Sequence, residues 1–243
     1  MSTPVLTPPT EAPVPRRSPW AMLFSVTTEP RATFEALRAR PAWWQPLLVL
    51  WLIGTLAGLA ALPKSLEIGL QQALAKAPGT DPEVLRRTIA VISYVTVPLT
   101  ALVAVAVGTL ILAGILSIIG TMAGGNGSFL QVWSAAMYAS VPVSIAGTII
   151  KGLMILTTPA SALQTVSTSL ALVLPKESVG TGLYYFLSLL DPFSIWALVL
   201  LTIGYAVAMD FPTRKSAYIN VPLWLVRYGI TMGFVALGLS QMK

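Results

Sequence analysis

Residues 88–150 read TIAVISYVTVPLTALVAVAVGTLILAGILSIIGTMAGGNGSFLQVWSAAMYASVPVSIAGTII, 63 consecutive residues without a charge, bounded by Arg87 and Lys151. The hydrocarbon core of a bilayer is about 30 Å thick and a helix needs about 20 residues to cross it, so this run crosses at least twice. Inside it, Gly124-Gly125-Asn126-Gly127 is a compact uncharged turn, which makes the run a helical hairpin. Its first arm is a span over about 91–119, long enough to tilt or to bend near Pro98. Its second arm is a span over about 130–156.

Upstream, residues 46–62 form the first span, with Trp43 and Trp44 as anchors at the water boundary. Lys64 to Ala77 follows as an amphipathic helix, apolar at Leu66, Leu70 and Leu74 and ended by Pro78-Gly79. Asp81-Pro82 opens the next helix as a cap plus a first-turn proline. Downstream, Asp191-Pro192 opens a fourth span over 192–209, closed by Asp210-Phe211-Pro212, and the chain returns after Arg214 and Lys215 through a fifth over about 222–241. Residues 157–190 alternate small hydroxyl and apolar residues and read as partly helical structure at the interface. The fold class is therefore all-α: a polytopic, five-span transmembrane bundle over 46–243 with amphipathic interfacial helices.

The N-terminal region divides in two. Residues 1–17, with Pro4, Pro8, Pro9, Pro13 and Pro15 among polar residues, read as a disordered tail. The first sustained apolar run begins only near Pro46, so a cleavable secretory signal is not expected. Residues 18–45 form an amphipathic segment, with Glu29-Pro30 opening a helix that carries Phe34 and Leu37 on one side and Arg31, Glu35 and Arg38 on the other. Its expected seat is the headgroup layer; a docking surface for a partner is the alternative.

Composition bounds the chemistry. Of 243 residues, 55% are hydrophobic and 10% charged, and the mean hydropathy is +0.77, which excludes an ordinary water-soluble domain. With no His and no Cys, the chain builds neither a Ser/His/Asp triad, nor a thiolate nucleophile, nor the usual zinc site. No cofactor is expected. The net charge of +6 is spread beside apolar segments, which fits loops against anionic lipid headgroups rather than nucleic acid. Counted on a five-span layout, the N-terminal side carries seven Lys and Arg (Arg16, Arg17, Arg31, Arg38, Arg40, Arg214, Lys215) and the other side six (Lys64, Lys76, Arg86, Arg87, Lys176, Lys243). The second cluster is offset by Glu67, Asp81 and Glu83, so the charge bias places the N-terminus inside and the C-terminus outside.

Ionisable groups at membrane depth are the natural place to look for function. Lys151, late in the third span, reads as snorkelling to the far headgroups. Arg227 either snorkels or pairs with Asp210 or a substrate. Asp191 and Asp210 bracket one span, roughly 28 Å apart along a helix, too far for an aspartyl dyad. Asp191 reads as an N-cap, and Asp210 as a partner for Arg214, Lys215 or Arg227. Gln131, Ser134, Tyr138, Ser140 and Ser144 place polar groups on one span for interhelical hydrogen bonds or a polar pocket. Gly54 with Gly58, Ala104 with Gly108, and Gly229 with Gly233 are small-residue pairs for helix packing, with a homo-oligomer seam as the alternative.

Several of these segments together resemble the Yip family of Ypt-interacting five-span membrane proteins, in particular its bacterial-type members. The similarity lies in Leu190-Asp191-Pro192-Phe193-Ser194-Ile195-Trp196 with Gly204 following; in Phe129 with Tyr138-Ala139-Ser140-Val141-Pro142; and in Pro30, Phe34, Leu37, Pro41, Trp43 and Pro46 before the first span. It implies five spans, a cytoplasmic N-terminus and no known enzymatic activity; the expected location is a bacterial inner (cytoplasmic) membrane. Its eukaryotic members are associated with Rab-type GTPases and with membrane shape. Their Asp-Leu-Tyr-Gly-Pro element is replaced here by Pro41-Ala42-Trp43-Trp44-Gln45-Pro46, which argues against a GTPase partner. The leading expectation is a non-enzymatic organiser of lipid or of membrane-protein partners. A small transporter, channel or lipid carrier using Arg227, Asp210 and the third-span hydroxyls is the rival, and an intramembrane hydrolase is a distant third.

Overall fold

A computed structural model describes residues 18–76, 79–157, 168–175, 178 and 181–240. The tail expected at 1–17 and part of the 157–190 segment lie outside the described residues. Eight α-helices are described: α1 (Pro19–Thr28), α2 (Pro30–Ala39), α3 (Trp44–Lys76), α4 (Pro82–Met122), α5 (Phe129–Thr157), α6 (Gly182–Leu189), α7 (Pro192–Met209) and α8 (Thr213–Ser240), with a 3-10 turn at Leu170–Val173. There is no strand among the described residues.

Four helices among the described residues, α3, α4, α5 and α7, are long and apolar enough to cross a bilayer. The segment expected as a fifth span lies on α8, which is 28 residues long but is not one of the four; its first fifteen residues include Arg214, Lys215, Asn220 and Arg227. The segment expected as a separate amphipathic helix after residue 62 is instead continuous with the first span, because α3 runs through Pro63 without a break. Likewise α4 runs from Pro82 to Met122 through Pro98. At 1.5 Å per residue these helices are about 50 and 62 Å long, well beyond a hydrocarbon core of about 30 Å.

Local chemistry sets the helix ends. Ser18 accepts from the Ala21 N–H at 3.2 Å ahead of Pro19. Asp81 accepts from the Glu83 N–H at 2.8 Å ahead of Pro82. Before α5, Ser128 and Gln131 form a reciprocal capping box: the Ser128 N–H donates to Gln131 Oε1 at 2.7 Å, and the Gln131 N–H to Ser128 Oγ at 3.4 Å. The turn between α4 and α5 has Gly124 at φ +81°. It rests on the end of α7, with the Asn126 N–H donating to the Met209 carbonyl at 3.2 Å and a Cβ at Gly127 meeting the Ala208 carbonyl oxygen.

The core lies where α5 and α7 meet, flanked by α1 and α2 at one end. Tyr138, Met137, Tyr205, Met209, Phe34 and Leu37 are almost fully buried there. The apolar side of α2, expected to seat in the headgroups, is thus turned into the bundle: Phe34 is 2% and Leu37 1% exposed. The Phe34 ring lies against Gly204 of α7, where a Cβ would come within 2.8 Å of the ring. Trp43 stacks on Trp133 with centroids 5.0 Å apart, and Trp44 meets Trp20 edge-on at 5.5 Å.

Overpacking a filled core costs about 1–3 kcal/mol, so Gly204→Ala is expected to lower stability by that amount. Gly108→Ala, whose Cβ meets nothing within 4 Å, is expected to be neutral or to gain up to about 1 kcal/mol from helix propensity. Thermal unfolding of the two variants in the same detergent checks the contrast.

Candidate functional site

The end of the bundle nearest the N-terminus carries a cleft of about 450 Å³ between α2, α5 and α7, lined by Arg31, Glu35 and Arg38, by Gln131, and by Val207 and Asp210. Two ion pairs organise it. Arg31 Nε meets Glu35 at 3.2 Å one turn along α2, and Arg38 Nη1 meets Asp210 Oδ1 at 3.0 Å across to α7. Gln131 Nε2 donates to the Arg38 carbonyl at 2.8 Å, tying α5 to the end of α2. Tyr138, buried in α5, donates to the Pro19 carbonyl at 2.9 Å and holds the start of α1. Ser25 and Thr33 join α1 to α2 with a hydroxyl–hydroxyl bond of 2.8 Å. The result is a two-helix cap fixed to the bundle by aromatic contacts from Trp20 and Phe34, the Arg38–Asp210 ion pair and hydrogen bonds to Gln131 and Tyr138.

Asp210 therefore has a different role from the one its sequence position implies. Its partner is Arg38, 172 residues away, rather than Arg214, Lys215 or Arg227. It also ends α7 in the left-handed conformation, at φ 61° and ψ 45°, which Asp tolerates better than most residues. The Arg38 hydrogen bond and charge hold its carboxyl below the ordinary value of 3.8.

Asp191 occupies the N-cap position of α7 with Pro192 following, but its side chain makes no capping bond to the backbone. Instead Oδ1 accepts from Thr168 at 2.9 Å and Oδ2 from Ser194 at 2.9 Å. Ser194 is also hydrogen-bonded to the Tyr228 hydroxyl of α8. Because the single Ser194 proton goes to Asp191, Tyr228 is the donor in that pair. This network stitches α7, α8 and the segment before the 3-10 turn at the far end of the bundle.

The groups expected to form a transport path are not assembled in one place. Arg227 and Ser140 border a small cavity of about 70 Å³ with Asn220 and Trp224, while Asp210 lines the separate cleft with Arg38. Ser140 donates back to the Ala136 carbonyl at 2.8 Å. Asn220, only 2% exposed, donates to Ser216, and its Oδ1 has no partner among the described residues. Gly54 and Gly58 face α4, where a Cβ would meet Ala101 at 3.4 Å and Val97 at 2.6 Å. A Cβ at Gly229 or Gly233 would meet nothing within 4 Å among the described residues.

Several functional contacts escaped the sequence. Arg38 was read only as part of a polar helix side. Lys215 donates to the Ala123 carbonyl at 2.6 Å and stands 4.1 Å over the Phe211 ring, locking the turn after α4 to the start of α8. Asn220 lies two residues before Pro222, outside the span that begins there; its spacing of four from Ser216 and seven from Arg227, which puts the three on one helix face, was the available signal.

Together these features define an all-helical membrane protein whose N-terminal helices close one end of the bundle. The Yip1 domain matches residues 24–234, and the chain belongs to that family. It is also 29% identical over 214 residues to the membrane protein YknW of Bacillus subtilis (strain 168), an alignment spanning 87% of each chain. No solved structure matches it at a significant level.

For a carboxylate held below its ordinary value, the stabilising pairing is complete above that value and lost as the pH falls through the lowered one. The Arg38–Asp210 pair is therefore expected to hold from neutral pH down to about 4 and to be lost below, which leaves α2 seated by Phe34 but with a wider range of orientations. Spin labels on α2 and at the end of α7 check this by their separation, and Asp210→Asn, which keeps a residue suited to the left-handed backbone, should abolish the pH response. At Asp191, Asn retains one carbonyl acceptor and Leu retains none, so stability losses of about 1 and about 2–3 kcal/mol are expected, read from unfolding in detergent.

Proposed function

We propose that the protein is a non-enzymatic membrane organiser, a five-crossing bundle whose docked α1–α2 cap presents a fixed recognition surface to a second membrane protein or a second copy of itself. In this reading α8 supplies the fifth crossing. The N-terminus is cytoplasmic, the C-terminus is outside, and the protein resides in the cytoplasmic (inner) membrane of a bacterium. The observation that carries it is the cap itself. Phe34 on Gly204, Arg38 on Asp210 and Gln131 on the Arg38 carbonyl hold two short helices in one orientation, with the Arg31 and Glu35 side chains left exposed beside the cleft.

The lack of His and Cys supports a role without catalysis. The separation of Asp210 from the Arg227 cavity weighs against the transport alternative. Interaction with anionic lipid is consistent with the net charge of +6. A GTPase partner has no support in the segment before α3, and nucleic acid has none in the scattered basic residues.

A photo-crosslinking residue at position 35 is expected to give a discrete protein adduct in native membranes, and the adduct should disappear when Gly204→Leu undocks the cap. Adducts to lipid alone, or a protein adduct indifferent to Gly204→Leu, would refute the scaffold reading. Reporter tags at the two termini are expected to signal from opposite compartments; signals from one compartment would remove the fifth crossing.

A further inference from the structure

A groove of about 490 Å³ lies between α3 and α5, walled by Ala57, Ala60 and Ala61 on one helix and by Ile149 and Gly152 on the other, with Lys151 beside it. The small side chains create the concavity, and a Cβ at Gly152 would meet nothing within 4 Å. Lys151 stands 22 residues after Phe129 on α5, about 33 Å along the helix from the cap end. That distance is close to the full hydrocarbon thickness and sets the ammonium at the far headgroup layer. The stacked Trp43 and Trp133 set the two helices at one level; from there Lys151 lies 18 residues along α5 and Ala57 to Ala61 lie 14 to 18 residues along α3, so the alanine wall begins level with the lysine and extends about 6 Å back toward the bilayer centre. Lys151 is exposed, has no ion-pair partner among the described residues, and no acidic residue lines the groove.

We propose that this groove is a binding site for an anionic phospholipid, its phosphate on Lys151 and one acyl chain along the alanine wall. The charge selects the occupant: a cation with no ion-pair partner among the described residues, at headgroup depth beside an apolar concavity, has the layout of a lipid's own headgroup and chain. The volume falls within the about 300–1,000 Å³ of small-molecule sites. A neighbouring helix would instead need a close-packed flat seam, and would leave the lysine unpaired. The site requires only that α3 and α5 cross a bilayer and is independent of the scaffold role proposed above.

The test uses the purified full chain in detergent with equal amounts of phosphatidylglycerol and phosphatidylcholine of identical chains, read by native mass spectrometry. One phosphatidylglycerol is expected to be retained in preference. Lys151→Gln should reduce the preference about fivefold, the effect of one cation near an anionic lipid surface, and Lys151→Arg should preserve it. Gly152→Leu, which fills open space and leaves the charge intact, should reduce retention of the lipid itself. Equal retention of the two lipids by the unmodified chain, an unchanged preference in Lys151→Gln, or unchanged retention in Gly152→Leu would each overturn the proposal, as would a second copy of the chain in place of the lipid.

Discussion

The Phe34 ring occupies the space that a side chain at residue 204 would fill, and the cap end of the molecule is arranged around that contact. An aromatic side chain moved from water into a packed interior gains about 1.5–3 kcal/mol. The exposed Arg38–Asp210 ion pair contributes much less, since solvent screens it. The ring on the glycine therefore supplies the affinity of α2 for α7, and the ion pair supplies the direction in which α2 lies. Glycine at 204 is needed for its lack of a side chain rather than for its backbone freedom, because it sits inside a regular helix.

Once α2 is seated, the rest of the cap follows from unsatisfied backbone groups. The last carbonyls of a helix have no intrahelical partner, and Arg38, near the end of α2, finds one in the Gln131 amide. At the start of α1 the Pro19 carbonyl has a second lone pair, and the Tyr138 hydroxyl donates to it. The same rule acts at the neighbouring corner, where Lys215 takes up the Ala123 carbonyl at the end of α4, while in the core the Tyr205 hydroxyl donates to the mid-helix Leu116 carbonyl at 2.8 Å. Gly120, Gly125 and Gly127 leave room for Met209 and its neighbours at this corner. Four segments distant in sequence are thereby joined at one end of the bundle.

The helical character, the turn at 124–127 and the caps at Asp81 and Glu29-Pro30 were legible in the sequence, because they depend on local composition and on residues a few positions apart. Much of the cap was not. Amphipathicity on α2 states that Phe34 and Leu37 share a side, but lipid and a protein groove satisfy that side equally well; the choice depends on Gly204, 170 residues downstream. Asp210 shows the same limit. Its partner was sought among neighbouring basic residues, since charge alone does not rank cations by distance in the fold. Asp191 was correctly placed at a helix start, yet its oxygens are taken by the hydroxyls of Thr168 and Ser194 rather than by the backbone; Thr168 lies 23 residues away, where no local cap rule reaches. The continuous α3 was missed because a proline in a sequence reads as a stop, whereas in a long apolar helix neighbours can compensate for the lost bond.

That compensation has a consequence for the longest pair of helices. Pro63 and Pro98 each remove one backbone hydrogen bond from α3 and α4, so the two helices need support from each other. Trp51 of α3 donates its indole N–H to the Pro98 carbonyl of α4 at 3.0 Å. Gly54 and Gly58, one and two turns further along α3, bring its backbone close to Ala101 and Val97. These three contacts fall on consecutive turns of one helix face and bracket the proline, pinning α4 where its own ladder is interrupted. Most of the outer surface of α4 beyond them is left exposed, from Val91 to Ile118, and its most apolar stretch is only 11% buried. The α3–α4 pair is thus held to itself along a narrow seam of small residues and to the bundle through α5, while its apolar surface is given over to lipid.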